Sequence, residues 1–350
     1  MPANVSPAGN FGMVDKQAIF PNCAQEAAIS DANLSLDDIQ AAADRLTKVA
    51  HRTPLLASAT LDAECGGTVF LKAESFQRSG SFKFRGAYNR LSQLSAAERD
   101  RGVVAYSSGN HGGAVALAAR LLGIPAVVVV PATGSAAKLA AIEGYGAELR
   151  RHDPKTERRE EVAAQIAAER SLTIVRPFDD YAVMAGQGTV GLEIAQDVPE
   201  LDRVLAPIGG GGLIAGVATA VRGLQPSAAI IGVEPANGAD TLESLRAGHL
   251  VNIGEPGTIA DGLRASQPGD LTFPINARLL ADVVTVSEEA IVDAMRFAFA
   301  RLKIVIEPSG AVTLAALLTG AVPAGGRTAA VLSGGNIDPA DFGALLAGRH

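Results

Sequence analysis

Val204-Leu205-Ala206-Pro207-Ile208-Gly209-Gly210-Gly211-Gly212-Leu213-Ile214-Ala215-Gly216-Val217-Ala218 reads as a short buried strand, a turn of four glycines and a helix of small apolar residues. Four residues without Cβ let successive backbone N–H groups turn toward one point, and the helix adds the positive end of its dipole. Such a loop cradles a phosphate group. A strand passing into a helix in this way is also the repeating unit of an α/β protein, whose ligands sit at the carboxyl ends of its strands.

Working outward, the chain has 350 residues and 48% hydrophobic content, enough for two domains or one large α/β unit. A formal charge of −7 with no basic block argues against nucleic acid and anionic membrane as partners. Tryptophan is absent and aromatics are sparse, which argues against a base-stacking platform. Cys23 and Cys65 form no CxxC or Cys/His metal spacing, so a reduced, cytoplasmic setting is the simpler reading. Residues 1–30 read as a mixed extension without the pattern of a signal peptide. The longest apolar run, Ala126–Val130, is strand length and too short to span a bilayer.

Ser35, one place before an amphipathic run with Asp37 and Asp38 in its first turn, predicts a helix through Ala50. Thr68–Lys72, Gly102–Tyr106, Ala126–Val130, Glu148–Arg150, Thr173–Val175, Val204–Ile208, Ile230–Glu234, Val283–Val286 and Thr328–Leu332 read as strands. Helical patterns such as Gly113–Leu122, Thr156–Arg170 and Glu288–Lys303 lie between them. This alternation predicts parallel sheets wrapped by helices, with residues 102–179 forming a smaller domain set into a larger one made of 31–101 and 180–350.

The glycine loop alone leaves its ligand open. Gly210–Ala215 matches the dinucleotide pattern GxGxxA, and Glu234 ends the next strand about 20 residues on, the spacing of a nicotinamide or flavin oxidoreductase. A Walker loop is excluded because no Lys-Ser/Thr follows the glycines. A glycine turn without a ligand is the bland alternative.

Three further segments bear on the choice. In Ser79-Gly80-Ser81-Phe82-Lys83-Phe84-Arg85-Gly86 a lysine stands between aromatics, in a turn leading to a helix from Ala87 onward. Desolvation by Phe82 and Phe84, with Arg85 nearby, would lower its amine pKa and make it a Schiff-base candidate. Ser107-Ser108-Gly109-Asn110-His111-Gly112 gathers hydroxyls, an amide and backbone N–H groups at a helix start, suited to a carboxylate. Ser333-Gly334-Gly335-Asn336 ends the last strand and offers a hydroxyl at the sheet edge. Each segment taken singly is also readable as a surface lysine or a capped turn.

Together, and in this order, SGSFKFRGA, SSGNHG, GGGG and SGGN closely resemble the serine/threonine dehydratase and serine racemase family of fold-type II pyridoxal-phosphate enzymes, over residues 34–336. The resemblance implies two parallel-sheet α/β domains with pyridoxal 5'-phosphate in the cleft between them. By it, Lys83 is the Schiff-base lysine and the base at the substrate Cα, and Gly209, Gly210, Gly211 and Gly212 hold the phosphate. Asn110 pairs with the pyridine 3-hydroxyl, Ser333 with the ring nitrogen, and Phe82 packs on the ring. Ser107, Ser108, Asn110 and His111 match the loop that grips the amino-acid carboxylate. Ser108 also matches the acid/base serine of racemases in the family.

Glu234 and Asp240, six apart in a post-strand loop, suit a hard divalent cation, with the Gly238 carbonyl and waters completing an oxygen shell. Family members similar to racemases place Mg²⁺, Mn²⁺ or Ca²⁺ there. Two solvated loop acids are the alternative. Arg159 matches an arginine that binds a second carboxylate, although Glu157–Glu161 reads equally as a solvated helix face. Gly113 stands where the family carries glutamine, leaving room for a larger substrate. The expectation is a threonine/serine ammonia-lyase, assembled as a homodimer or homotetramer. Within the family, the rivals are a serine racemase and a dehydratase of 3-hydroxyaspartate or phenylserine. The oxidoreductase comes from another class, as does a catalytically silent cofactor-binding protein.

Overall fold

The structure is a computed structural model and describes residues 34–348. The extension 1–30, and Cys23 with it, lie outside the described residues. Ten strands form two sheets. The larger has the order β1-β2-β10-β7-β8-β9, from Leu55–Leu56, Thr68–Ala73, Arg327–Leu332, Arg203–Pro207, Ala229–Pro235 and Asp282–Val286. The smaller has the order β5-β4-β3-β6, from Glu148–His152, Ala126–Pro131, Val103–Tyr106 and Thr173–Ile174. Every pairing is parallel except β1 with β2, and β1 is the one strand the sequence reading lacks. Two residues carry too little pattern to announce a strand.

The central strands of both sheets are buried on both faces, which explains their unbroken apolar runs. Along β7, Leu205 packs into one core with Leu71, Val233 and Ala330, while Val204 and Ala206 pack into another with Ile230 and Val331. Along β4, Val128 and Val130 face Leu139 and Ile142, while Val127 and Val129 face Val162 and Ile166. The helix Lys83–Ser92 sends Phe84, Ala87 and Leu91 into a core shared with Val103, Ala105, Ala114 and Val175. The layer on the smaller sheet therefore draws on residues before 102.

One helix, Tyr181–Asp197, fixes two others at close range. A Cβ on Gly186 would stand 2.6 Å from the Arg85 carbonyl oxygen. On Gly188 it would stand 2.9 Å from the Gly216 carbonyl oxygen, and on Gly191 2.8 Å from Val217 Cα. The glycines let the backbones of Lys83–Ser92 and of Gly212–Leu224 touch this helix directly, and dense packing leaves little room to slip. The lysine and the four-glycine loop are thereby set by a common support.

Several boundaries differ from the sequence reading. Ser35 caps its helix with a capping box, but the helix ends at Leu46 rather than Ala50, and Lys48 takes a left-handed φ of 64°. The helix predicted over 156–170 starts at Arg159, and that predicted over 113–122 starts at Asn110. Glu288–Phe297 passes into a π-helical turn, Ala298–Leu302.

Candidate active site

The four segments converge at the carboxyl ends of the strands. Lys83 opens its helix instead of preceding it, with Phe82 as an N-cap that makes no side-chain capping bond. That start is fixed from across the molecule: Phe82 N donates to the Ser333 carbonyl at 3.0 Å, and Ser81 bridges Gly334. Lys83 Nζ donates to the Pro177 carbonyl at 2.7 Å and lies 5.1 Å from the centre of the Phe82 ring. Burial lowers its pKa to about 8. Arg85 plays no part in that shift and Phe84 lies in the core, which corrects the sequence reading. Arg85 is bound on the far side by Glu74 at 2.8 Å and Glu193 at 2.7 Å.

Next to Pro177, the Phe178 ring occupies the space a Gly210 side chain would need, and Phe178 Cβ would stand 2.9 Å from a Cβ on Gly212. A Cβ on Gly211, whose φ is +87°, would meet Asn276 Nδ2 at 2.5 Å, and one on Gly209 would meet Leu263 at 3.1 Å. Thr272 Oγ1 donates to the Gly210 carbonyl at 2.7 Å, and Asn276 Nδ2 to the Gly211 carbonyl at 3.4 Å. The carbonyls are thus tied back. Among the described residues the amides of Gly209–Gly212 have no protein acceptor. Free amides at a helix start, with every Cβ position filled, suit a phosphate.

Asn110 lies at the start of the helix Asn110–Leu122. Its Nδ2 donates to Glu307 Oε1 at 2.6 Å, and its Oδ1 accepts from Asn336 Nδ2 at 2.7 Å. Ser333, buried at the end of β10, donates to the Ser309 carbonyl at 3.3 Å. Ser107 Oγ accepts from Gly109 N at 3.2 Å, while the half-buried Ser108 hydroxyl has no partner among the described residues. His111 is buried, with Nε2 2.9 Å from the Val175 carbonyl and Nδ1 unpartnered. Burial and the Lys83 charge push its pKa down to about 3, so the ring is neutral and binds no carboxylate as a cation. Around Gly113 a Cβ would meet nothing within 4 Å.

Arg159 is not brought to Lys83. It is 53% exposed and paired with Glu160 at 2.8 Å. It still bears on Tyr106, at the end of β3, whose phenol is raised by burial and Glu160 and lowered by Arg176 and Arg159.

Glu234 and Asp240 do come together, away from the lysine. Glu234 accepts from Thr241 N and Leu242 N, both at 3.0 Å. It is wholly buried in this role, which leaves no carboxylate for a ribose and removes the dinucleotide reading. Both Asp240 oxygens are buried without a partner. Burial, joined by the Asp240 charge, holds the Glu234 carboxyl well above the carboxylate range, and burial lifts Asp240 to about 7. Gly238 lies on the turn between them. Among the described residues no group of three or more His, Cys, Asp or Glu side chains is placed to hold a metal ion. Of the two, Asp240 alone lacks a hydrogen-bond donor, and a pair of carboxylates is the kind of oxygen donor set a hard cation takes.

Glu307 is the site residue the sequence reading lacks. Burial, then the Asp261 charge, raises its carboxyl to about 8, opposed by the Asn110 hydrogen bond and by Lys138. Its only signal is a carboxylate before Pro308 in Ile304-Val305-Ile306-Glu307-Pro308, which reads as an ordinary helix start. No described helix is long and apolar enough to cross a membrane.

A burial-lowered amine, a phosphate-binding loop and polar groups for a ring fit pyridoxal phosphate. The model of the family described as "Pyridoxal-phosphate dependent enzyme" matches residues 46–334. An L-threo-3-hydroxyaspartate ammonia-lyase of Saccharomyces cerevisiae is 42% identical, over 89% of this chain and 96% of its own. An L-threonine ammonia-lyase of Thermotoga maritima is also 42% identical, over 87% of this chain and 76% of its own. The structure of maize serine racemase superposes with a TM-score of 0.85 at 39% identity, covering 91% of this chain and 98% of that one.

Proposed function

The chain belongs to the pyridoxal-phosphate-dependent enzyme family, and from that premise we propose that it is an ammonia-lyase of small β-hydroxy L-amino acids. L-threonine and L-serine would give 2-oxobutanoate or pyruvate, with ammonia. The observation that carries the reading is the Lys83 amine, held by the Pro177 carbonyl and lowered to about 8, in a site that also holds the polar loop Ser107–His111.

Bound pyridoxal phosphate supplies an electron sink for the bond broken at Cα. The amides of Gly209–Gly212 would hold its phosphate, Phe82 would pack on the ring, and Asn110 and Ser333 would meet the 3-oxygen and the ring nitrogen. A serine hydroxyl at that nitrogen does not enforce a charge there, as a carboxylate would. The Ser107 and Ser108 hydroxyls, with the Asn110 and His111 amides at the helix start, would hold the substrate carboxylate. Lys83 Nζ takes the Cα proton. The Cα–H and Cβ–O bonds break and water leaves; one water returns in hydrolysis to the 2-oxo acid and ammonia. Ser108, half-buried, would serve as a second proton carrier for racemisation.

A second reading, 3-hydroxyaspartate as substrate, is supported by the 42% identity to the L-threo-3-hydroxyaspartate ammonia-lyase of Saccharomyces cerevisiae. Glu234, Asp240 and the Gly238 carbonyl are the proposed ligands of a divalent cation that steadies the β8 loop and leaves the chemistry to the cofactor. We expect a homodimer or homotetramer, to be read by light scattering.

Purified protein loaded with pyridoxal phosphate is to be given L- and D-threonine, L- and D-serine, threo-3-hydroxyaspartate and phenylserine, with Mg²⁺ or EDTA. Keto acid from L-threonine or L-serine supports the main reading. Turnover of hydroxyaspartate alone, lost in Arg159→Met or Arg176→Met, moves the assignment to the second. Accumulation of the opposite enantiomer without keto acid makes the protein a racemase. An EDTA effect that persists in Glu234→Gln/Asp240→Asn removes the cation from that pair.

A further inference from the structure

We infer that Glu307 is a positioning residue of this site: by accepting an N–H from Asn110 it fixes which end of that amide faces the cofactor. The inference rests on the placement of Asn110 at the cofactor's 3-oxygen proposed above.

Glu307 is the N-cap of the helix Pro308–Leu318, yet its side chain makes no capping bond to that helix. A short polar residue at this position, such as serine or aspartate, bends back onto its own first-turn amides. Here the carboxyl reaches Asn110 instead, across 197 residues of chain. Its backbone is held on both sides, since Glu307 N donates to the Gly334 carbonyl at 3.1 Å and Gly310 N donates to the Glu307 carbonyl at 2.9 Å. A side chain on Gly334 would run into Glu307 Oε1. The turn after β10 is therefore glycine where the carboxyl lies, and the two are built around each other.

The hydrogen-bond inventory of Asn110 then has one solution. A carboxamide has one oxygen acceptor and two N–H donors. The oxygen accepts from Asn336 Nδ2 at 2.7 Å, and Asn336 Nδ2 is itself anchored by donating to the Ser79 carbonyl at 2.6 Å. One N–H goes to Glu307 at 2.6 Å. One N–H is left, and it takes an acceptor. Turning the amide over would set its nitrogen against the Asn336 donor and, wherever Glu307 is ionised, its oxygen against a carboxylate, losing both contacts. An unmade bond to a buried polar group is expensive. Glu307, with Asn336 opposite it, thus ensures that a donor, not a carbonyl, is offered to the ring oxygen.

The test is the visible absorption of protein loaded with pyridoxal phosphate, titrated from about pH 6 to about pH 10. A donor to an oxyanion lowers its proton affinity, so losing the donor raises the midpoint. Asn110→Ala is expected to raise it by about one unit. Glu307→Ala should give most of that shift, and the double variant no more. Glu307→Gln, which keeps a carbonyl acceptor, should stay near the native midpoint. A merely structural glutamate would lower the melting temperature of Glu307→Ala and leave the midpoint in place, which overturns the inference and spares Asn110. No shift in Asn110→Ala would overturn the placement of Asn110 and this inference with it. Should Glu307→Ala not fold, Glu307→Met keeps the side-chain length without an acceptor and carries the same expectations.

Discussion

Lys83 and Arg85 stand two residues apart at the start of one helix, about 200° apart around its axis. On the Arg85 side every charge has an opposite. Arg85 is bidentate to Glu74, with Nε and Nη2 both at 2.8 Å, and also binds Glu193. Lys72 reaches Glu193 at 2.6 Å and the Thr53 carbonyl at 2.6 Å. Two cations and two carboxylates cancel, and the Arg85 pKa is driven up. On the Lys83 side no carboxylate among the described residues pairs with the amine: Lys83 falls to about 8, His111 falls to about 3, and Glu307 rises to about 8. Each is pushed toward its neutral form. Compensated burial holds a charge in place, whereas uncompensated burial holds a group ready to give or take a proton.

The comparison breaks most visibly at Lys83. Lys83→Ala should cut turnover by about 10⁴-fold or more and abolish the visible absorption of the loaded protein. Its melting temperature should not fall, because the amine it removes has no ion-pair partner. A retained visible band would mean that another amine holds the cofactor. Arg85→Met should do the reverse. It leaves Glu74 and Glu193 underpaired, and unfolding in urea should show a loss of about 3–5 kcal/mol, the usual range for a broken buried pair. The folded fraction should keep its visible band. A loss below about 1 kcal/mol would show that the network does not depend on Arg85.

A third measurement concerns the free amine. In cofactor-free protein, competitive labelling should give Lys83 a reactivity midpoint near pH 8, while exposed lysines follow the ordinary value of about 10.4. A midpoint with the exposed lysines would mean that burial at Pro177 does not discharge the amine.

Much of this was legible in the sequence, and the exceptions share a cause. The β7–glycine–helix unit is local: a continuous apolar run and missing Cβ atoms announce it without reference to the rest of the chain. The family resemblance rested on four short motifs, and the fold brings all four together. What could not be read depended on distant contacts. The helix begins at Lys83 rather than Ala87 because Ser333 and Gly334 receive Phe82 and Ser81 from the last strand. Once it begins there, helical geometry sends Arg85 away from Lys83, so the arginine beside the lysine in sequence does not tune it. Glu307 was invisible for the same reason, its partner being Asn110. Arg159 was legible only as two alternatives, and the structure places it on an exposed helix end, paired with Glu160.

The smallest effect in the series tests whether the Lys83 side is uncompensated throughout. His111 Nε2 meets the Val175 carbonyl, and its Nδ1 has no partner, so a proton on Nδ1 would be buried without an acceptor near the Lys83 charge. Its folded pKa, about 3, lies below the ordinary value of 6.5. Below pH 6.5 the unfolded chain therefore binds the extra proton and the folded protein does not. The contribution to stability is full above pH 6.5 and is lost as pH falls toward 3. Between pH 7 and pH 5 this single group should cost about 2 kcal/mol. Urea unfolding of the cofactor-free protein at those two values should show a loss that is smaller by that amount in His111→Gln. An unchanged loss in His111→Gln would mean that His111 gains its proton without penalty, and the contrast between the two sides of the helix would then stop at Lys83 and Glu307.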